Sequence, residues 1–328
     1  MSYVKFQNAV VTDPELRPPH WKNAPRNDTR TSSDGPGKRL ESVVVPLDGT
    51  PFAEHAIPLA ISIAKRSGGS LKLIRVFLPA PASFRYRQRD AFDIMEDRLR
   101  TEASRYLDRV QQRILESVPE ITVVTHLANA WNIVDGIVRG GENADLIVMA
   151  TRGRGWLGRI FLGSVSKEML HRRKEPTIYV RGDDTPVDFS SDPIPTHLSI
   201  AIDGSTESGS VFDFAGTLAM LSGAKSTLLH VHNPRDPSER VQRRSPWRYL
   251  NMSQRKFAKG ALDVQTHLVR NAVSPTCGIL SYVDQAKPDL LAVTTRVTRS
   301  NFRSTTENLI RKSPVPVLVV RESVAQQS

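Results

Sequence analysis

The stretch DLIVMATRGRGWLGRIFLGSVSKEMLHRRKEPTIYVR, residues Asp145–Arg181, contains the features that decide the fold. After Asp145, Leu146–Ala150 form a continuous apolar run, which is typical of a parallel strand buried on both faces. Several glycines follow, and Gly163-Ser164 begins a helix that ends in basic residues. Glycine lets backbone N–H groups approach an oxyanion, and a helix N-terminus adds unpaired donors and a positive dipole end. The stretch therefore predicts a phosphate-binding loop on an α/β sheet, with a nucleotide as the natural ligand.

Strand-like and helix-like segments alternate upstream of this loop. Val43–Leu47 and Ser70–Phe77 are apolar strand candidates, and the segment between them carries apolar residues on one helical face. A long charged helix from about Asp90 to Glu116 then leads to a strand at Ile121–Leu127. This order predicts a five-stranded parallel sheet with right-handed crossovers and helices on both faces.

The same pattern occurs a second time. Leu198–Gly204 parallels Val43–Gly49, Asp289-Leu290-Leu291 parallels Asp145-Leu146-Ile147, and Pro316–Arg321 parallels Pro176–Arg181. Such internal similarity indicates a tandem duplication. The predicted organisation is a disordered tail at 1–38, a first domain at 39–182, a linker at 183–195, a second domain at 196–322 and a C-terminal tail at 323–328.

The second repeat keeps the strands and loses the glycines of the loop. Thr294–Asn301 stands where the first repeat has Ala150–Gly158, and Arg303 stands where Gly163 would be. Side chains at these positions block close backbone approach to a phosphate, unless the arginines bind it themselves. We therefore expect one nucleotide site, in the first repeat, and a degenerate partner.

The amino-acid composition excludes few classes of protein. The 328 residues carry a net charge of +11 and one cysteine, Cys277, which cannot form an internal disulfide. The sequence has no apolar run near 18 residues and no secretion signal at Met1, so a cytoplasmic protein without a membrane span is expected. The basic run Arg235–Arg248 beside Trp247 and Tyr249 suits single-stranded nucleic acid, but an exposed connection is the preferred interpretation.

Catalytic motifs are missing from the sequence. There is neither a Gly-x-x-x-x-Gly-Lys-Ser/Thr loop nor a Gly-x-Ser-x-Gly elbow. The histidines are scattered; His230 and His232 share one face of a predicted strand, and His126 and His267 occupy equivalent places in the two repeats. These patterns favour structural histidines over a metal site, and no catalytic residue is predicted.

The loop resembles that of the universal stress proteins, whose nucleotide-binding members carry Gly-x-x-Gly, nine residues, and then Gly-Ser/Thr. Gly153, Gly163 and Ser164 fit this spacing, while Ala150 replaces the first glycine. Val43–Asp48 is similar to the first strand of the family and Leu73–Val76 to the second. The resemblance covers roughly residues 40–182 and, more weakly, 196–322. It implies two tandem Rossmann-like domains of the adenine nucleotide alpha hydrolase-like type.

The resemblance also implies a binding site. Asp48 and Val76 would face the ribose and adenine, Pro46 and Met149 would line the base, and the loop would hold the phosphates. The implied nucleotide-binding residues are Pro46, Asp48, Val76, Met149, Ala150, Arg152, Gly153, Gly163, Ser164 and Val165. The alternative stays open that Pro46, Val76 and Met149 are core residues, Asp48 a turn residue and Ser164 a plain helix N-cap.

The resulting hypothesis is an adenine-nucleotide sensor or regulator in stress response, binding ATP with or without Mg²⁺ and hydrolysing it slowly at most. A nucleotide-free interaction scaffold and a weak ATPase or other ATP-using enzyme are the alternatives. The family resemblance further implies a homodimer or an intramolecular pseudo-dimer through the last strands, Thr177–Val180 and Val317–Val320.

Overall fold

The computed structural model describes residues 40–79, 89–152, 163–183, 185–203, 209–232, 245–258, 262–270, 272–295 and 305–321, without the side chains of residues 89–92, 152, 209 and 210. The predicted tails and the loop residues 153–162 and 296–304 lie outside the described residues. Within these ranges, no helix is both long enough and apolar enough to cross a membrane.

Each repeat contains five strands. The first consists of β1 (Ser42–Leu47), α1 (Pro51–Glu54), α2 (Ile57–Ser67), β2 (Ser70–Phe77), α3 (Arg89–Ser117), β3 (Thr122–Asn129), α4 (Ile133–Gly140), β4 (Leu146–Arg152), α5 (Ser164–Arg172) and β5 (Thr177–Gly182). The second consists of β6 (His197–Ile202), α6 (Gly209–Ser222), β7 (Lys225–His232), α7 (Pro246–Phe257), β8 (Val264–Arg270), α8 (Pro275–Ala286), β9 (Leu290–Thr295), α9 (Thr305–Lys312) and β10 (Val317–Arg321).

All ten strands belong to one sheet with the order β3-β2-β1-β4-β5-β10-β9-β6-β7-β8. The pairs within each repeat are parallel, and β5 pairs with β10 in the antiparallel sense, with Ile178 opposite Leu318. The strand order is the same in the two repeats. The predicted fold class, two tandem Rossmann-like α/β domains, is confirmed.

Helices cover both faces of the sheet, which explains why the strands are apolar along their whole length. Val43, Val44 and Val45 of β1 are fully buried, although successive side chains point to opposite faces. Val43 and Val45 pack in the same cluster as the apolar residues of α2, whereas Val44 packs in the cluster that contains residues of α4.

The aspartate that precedes the fourth strand of each repeat has a structural role. Asp145 Oδ2 accepts hydrogen bonds from the backbone N–H groups of Glu41 and Ser42, at 2.9 and 3.2 Å. Asp289 Oδ2 does the same for Thr196 and His197, at 2.8 and 2.9 Å. Each aspartate thus fastens the start of its repeat's first strand, which explains why both repeats carry it.

The segment that connects the repeats is held against the first repeat. Phe189 is buried, and the Arg113 guanidinium lies 4.4 Å from the centre of its ring. Arg66 of α2 donates two hydrogen bonds to the Asp192 carboxylate, at 2.8 and 2.5 Å. The segment therefore has defined side-chain contacts with α2 and α3.

Candidate functional site

A cavity of about 480 Å³ lies at the carboxyl ends of β1, β2 and β4. Open α/β sheets bind their ligands at this edge, and the volume falls in the range of small-molecule sites. The cavity is lined by Pro46, Leu47, Asp48, Phe52, Ala53, Ile74, Arg75, Val76, Leu78, Ile133, Ile137, Met149, Ala150, Gly163, Ser164, Val165 and Ser166.

Eight of the ten residues that the sequence singled out line this one cavity: Pro46, Asp48, Val76, Met149, Ala150, Gly163, Ser164 and Val165. The other two, the Arg152 side chain and Gly153, lie outside the described residues. Residues more than 100 positions apart are thus brought together by the strand order β2-β1-β4.

The floor of the cavity is apolar. Pro46 of β1 lies beside Ile74 of β2, and Met149 of β4 and Val76 of β2 belong to or pack against the cluster on the α4 face of the sheet. Ile133 and Ile137 of α4 add further aliphatic surface. A flat heterocycle fits such a floor, because its faces are apolar.

Asp48 combines a turn role with a place in the cavity wall. Its Oδ1 accepts hydrogen bonds from the Thr50 backbone N–H at 2.9 Å and from the Thr50 hydroxyl at 2.5 Å. Gly49 between them has φ +92°, a left-handed conformation that glycine adopts without strain. The turn fixes the carboxylate at the cavity, so the turn alternative and the binding alternative are compatible.

The first turn of α5 forms the opposite rim. Its N-cap is Gly163, without any side-chain cap, and Ser164 is the first helical residue. The alternative that Ser164 is a plain N-cap is therefore contradicted, because the helix begins one residue earlier than that role requires. The uncapped backbone N–H groups of a first turn, with the positive end of the helix dipole, suit an anion.

A close contact between α4 and β2 shapes the cavity wall. A Cβ atom on Gly136 would lie 2.5 Å from Val76 Cγ1, so only glycine allows the helix to approach so closely. Gly278 of α8 packs against Val231 in the same way, because a Cβ atom on Gly278 would lie 2.7 Å from Val231 Cγ1. Sequence reasoning missed this pair of glycines. Each follows the N-cap of its helix, Asn132 or Ser274, by four residues, and this recurrence was a usable signal.

The basic residues at the end of α5 do not line the cavity. Arg172 pairs with Asp135 and Glu168, at 2.5 and 2.8 Å. The buried Arg173 donates to the backbone carbonyls of Val138 and Gly141, both at 3.0 Å, and burial lowers its pKa. Both arginines thus connect α5 to α4, with a cation placed at the C-terminal end of α4 where the dipole is negative.

Arg75 is the cavity residue with charge that sequence reasoning missed. It precedes Val76 on β2 and lines the cavity beside Asp48. Nothing in the local sequence distinguishes it from an exposed strand arginine, because its place depends on Gly49 and on Tyr106 of α3.

The equivalent region of the second repeat is described in part. Val231 is buried beneath Gly278, and Asp203 is exposed at the end of β6. The arginines proposed as substitutes for the loop, Arg296, Arg299 and Arg303, lie outside the described residues.

The described histidines make structural contacts. His230 Nδ1 lies 3.0 Å from the Ile202 carbonyl oxygen, and the His267 ring packs 4.6 Å from that of Tyr282. Burial and, secondarily, the charge of Lys72 lower the pKa of His126. Across the described ranges, no three His, Cys, Asp or Glu residues are grouped so as to hold a metal ion.

Comparison with known proteins agrees with this architecture. Residues 40–181 and 196–321 each match the universal stress protein family. The chain belongs to the universal stress protein family. A universal stress protein of Mycolicibacterium smegmatis is 24% identical over 296 residues, covering 85% of this chain and 96% of that protein. One of Thermus aquaticus is 30% identical over 143 residues, covering 43% of this universal stress protein and 99% of the relative.

A solved structure resembles the fold over most of the chain. The crystal structure of a universal stress protein from Archaeoglobus fulgidus covers 87% of this universal stress protein and 100% of its own chain. The TM-score is 0.64 at 19% identity, which establishes likeness of fold.

Proposed function

We propose that this universal stress protein binds an adenine nucleotide, ATP or a related one, in its first repeat and acts as a sensor or regulator in stress response. The observation that carries the proposal is the single cavity that gathers Pro46, Asp48, Val76, Met149 and the start of α5. Its apolar floor and its uncapped helix N-terminus match the two halves of a nucleotide.

The proposed binding mode follows from the lining. The adenine ring lies on Pro46, Val76 and Met149, and the Asp48 carboxylate accepts hydrogen bonds from the ribose. The phosphates face Gly163 and Ser164 at the start of α5. Ala150, half-buried on β4, adds one methyl group to the wall beside them.

Binding rather than rapid turnover is the proposed role. Asp48, the one carboxylate among the described lining residues, already accepts two hydrogen bonds from Thr50. Mg²⁺ usually reaches such sites through substrate phosphates and one or two carboxylates. We therefore propose that any Mg²⁺ enters with the nucleotide, and that hydrolysis is slow at most.

Calorimetric titration of ATP, ADP and AMP tests the proposal, using wild type, Gly163→Glu and Thr305→Glu. Among the described residues, apart from the chain neighbours, no atom lies within 4 Å of a Cβ placed on Gly163, so a glutamate there does not disturb the packing of the described part of the site. Thr305 is exposed at the start of α9, and its variant adds the same charge to the corresponding helix of the second repeat.

Micromolar affinity is expected for wild type, on the order of −8 kcal/mol. Gly163→Glu should abolish binding, since its carboxylate repels the phosphates, and Thr305→Glu should bind as wild type does. Wild type that binds none of the three nucleotides would contradict the proposal and leave an interaction scaffold as the function. Loss in Thr305→Glu alone would place the site in the second repeat.

We also propose that the assembly unit is an intramolecular pseudo-dimer of the two repeats. The antiparallel pairing of β5 with β10 supports this, with Tyr179 opposite Val317 and Thr177 opposite Val319. Because one chain already pairs these two strands, a homodimer formed through them would require strand exchange between chains.

A further inference from the structure

We propose that Arg75 makes the cavity selective for a phosphorylated ligand over the corresponding nucleoside. The inference rests on the proposed function and names the residue that distinguishes the two ligands. Arg75 lines the cavity next to Asp48, on the neighbouring strand β2. A guanidinium at this rim offers a nucleotide phosphate a charge-assisted, bidentate contact that an uncharged nucleoside cannot use.

Gly49 makes room for the guanidinium at this rim. A Cβ on Gly49 would lie 2.7 Å from Arg75 Nη2 and 2.8 Å from Cζ, so the charged group occupies the space that a side chain would take. Gly49 directly follows Asp48 in the turn after β1. The cation and the carboxylate are thereby placed side by side at the mouth of the cavity.

An aromatic ring, rather than a carboxylate, positions the guanidinium. Arg75 Cζ lies 4.9 Å from the centre of the Tyr106 ring. The Tyr106 hydroxyl donates to Glu54 Oε1 at 3.1 Å, and Arg113 Nη1 donates to Glu54 Oε2 at 2.7 Å. Glu54 is buried, and Arg113 compensates its charge.

The charge of Arg75 is therefore available to a ligand. Among the described residues, Arg75 forms no ion pair with a carboxylate, whereas Arg113, Arg172 and Arg173 all do. A cation that is held in place by stacking loses little freedom when it meets an anion, so its contact with a phosphate adds affinity.

The test compares AMP with adenosine, which differ by one phosphate, on wild type, Arg75→Gln, Arg75→Lys and Arg100→Gln. Arg100 is the matched control, because its guanidinium also lies over an aromatic ring, that of Phe77 at 5.4 Å, but does not line the cavity. Affinities are measured by calorimetry, and thermal unfolding establishes that each variant is folded.

Arg75→Gln should bind AMP about tenfold or more weakly and adenosine within about twofold of wild type, since one charge-assisted contact is lost. Arg75→Lys should keep part of the AMP affinity, and if Arg75→Gln does not fold it provides the comparison. Arg100→Gln should match wild type with both ligands.

Equal loss of AMP and adenosine binding would overturn the inference and make Arg75 a structural residue. Unchanged AMP affinity in a folded Arg75→Gln would overturn it as well. Wild type that binds neither ligand and also binds neither ATP nor ADP would overturn the proposed function itself, whereas wild type that binds AMP and adenosine equally would overturn the selectivity alone.

Discussion

Gly136 of α4 packs closely against Val76 in the cavity wall. A methyl group on Gly136 would lie 2.5 and 2.7 Å from the two Val76 Cγ atoms, far inside van der Waals distance. Close-packed interiors do not absorb such overlap without moving a side chain or a helix. Because Val76 lines the cavity, this packing contact and the shape of the site depend on each other.

Gly136→Ala should lower the free energy of unfolding by about 1–3 kcal/mol, the usual cost of overpacking. It should also weaken adenine-nucleotide binding, because relief of the clash displaces Val76 from the floor. Urea denaturation measures the first effect and calorimetric titration the second.

Gly278→Ala is the matched control, since its methyl group would meet Val231 of the second repeat at 2.7 Å. It should cost similar stability and leave nucleotide affinity unchanged. If both variants bind the nucleotide as wild type does, Val76 does not belong to the binding surface.

At this scale, sequence reasoning found eight of the seventeen described lining residues but not Arg75, and it missed Gly136, which packs against Val76. Pro46, Asp48 and Met149 stand at the ends of apolar strands, and their proposed roles came from the resemblance to the family. An isolated glycine in a helical pattern indicates only a loss of helix stability relative to alanine. The partners of Gly136 and Arg75, namely Val76 and Tyr106, are distant in sequence, so no local pattern indicates them.

In the connecting segment, the ion pair between Arg66 and Asp192 should contribute to the free energy of unfolding. Hydrogen bonds from the Arg66 guanidinium hold the pKa of the Asp192 carboxyl well below its usual range, at about 2. The Asp192 side chain remains 53% exposed, so solvent screening limits the contribution of this pair to about 1 kcal/mol or less.

Lowering the pH should remove this contribution. A carboxyl with a depressed pKa in the folded state stabilises the protein above its unfolded pKa, near 4, and loses that effect as pH falls toward 2. Asp192→Asn should therefore be less stable than wild type at pH 6, with the difference shrinking between pH 4 and pH 2. Urea denaturation across this range measures it, and a constant difference would show that the pair is not electrostatic.

The bounds of several elements could be predicted from the sequence. Ser70–Phe77 has the predicted bounds, and α3 begins and ends within one residue of expectation. The helix that was expected to begin at Gly163-Ser164 begins at Ser164, with Gly163 as its N-cap. A glycine cap leaves no polar side chain in the sequence to mark the boundary, so the identity of the N-cap residue could not be predicted.

The ten-stranded sheet makes the whole molecule one hydrogen-bonded unit. Leu290 of β9 is fully buried and belongs to a cluster that also contains Val43 and Leu146 of the first repeat. Two repeats that share a core in this way unfold cooperatively. A substitution that destabilises one repeat should therefore also destabilise the other.

Leu290→Ala should lower stability by about 2–5 kcal/mol. Hydrogen exchange followed by mass spectrometry should show faster exchange in β1 and β4 as well as in β9 and β6. Gln265→Ala, at an exposed position of the edge strand β8, should change neither. Faster exchange that is confined to the second repeat would contradict the pseudo-dimer.

Tandem repetition made the fold predictable at this scale, because two copies of one apolar pattern support each other. The resemblance to the family also implied which two strands pair between the repeats. Their register, with Ile178 opposite Leu318, could not be predicted, because both strands offer several comparable apolar partners.

The antiparallel pairing of β5 with β10 has a geometrical consequence for signalling. It reverses the strand direction halfway across the sheet. The strands of the first repeat and those of the second therefore have their carboxyl ends at opposite edges of the sheet. A nucleotide at Asp48 and any molecule near Asp203 cannot touch, and a partner protein that covers one position leaves the other open. Any coupling between ligands at these two positions would have to be transmitted along the strands, from the carboxyl ends of one repeat's strands to those of the other.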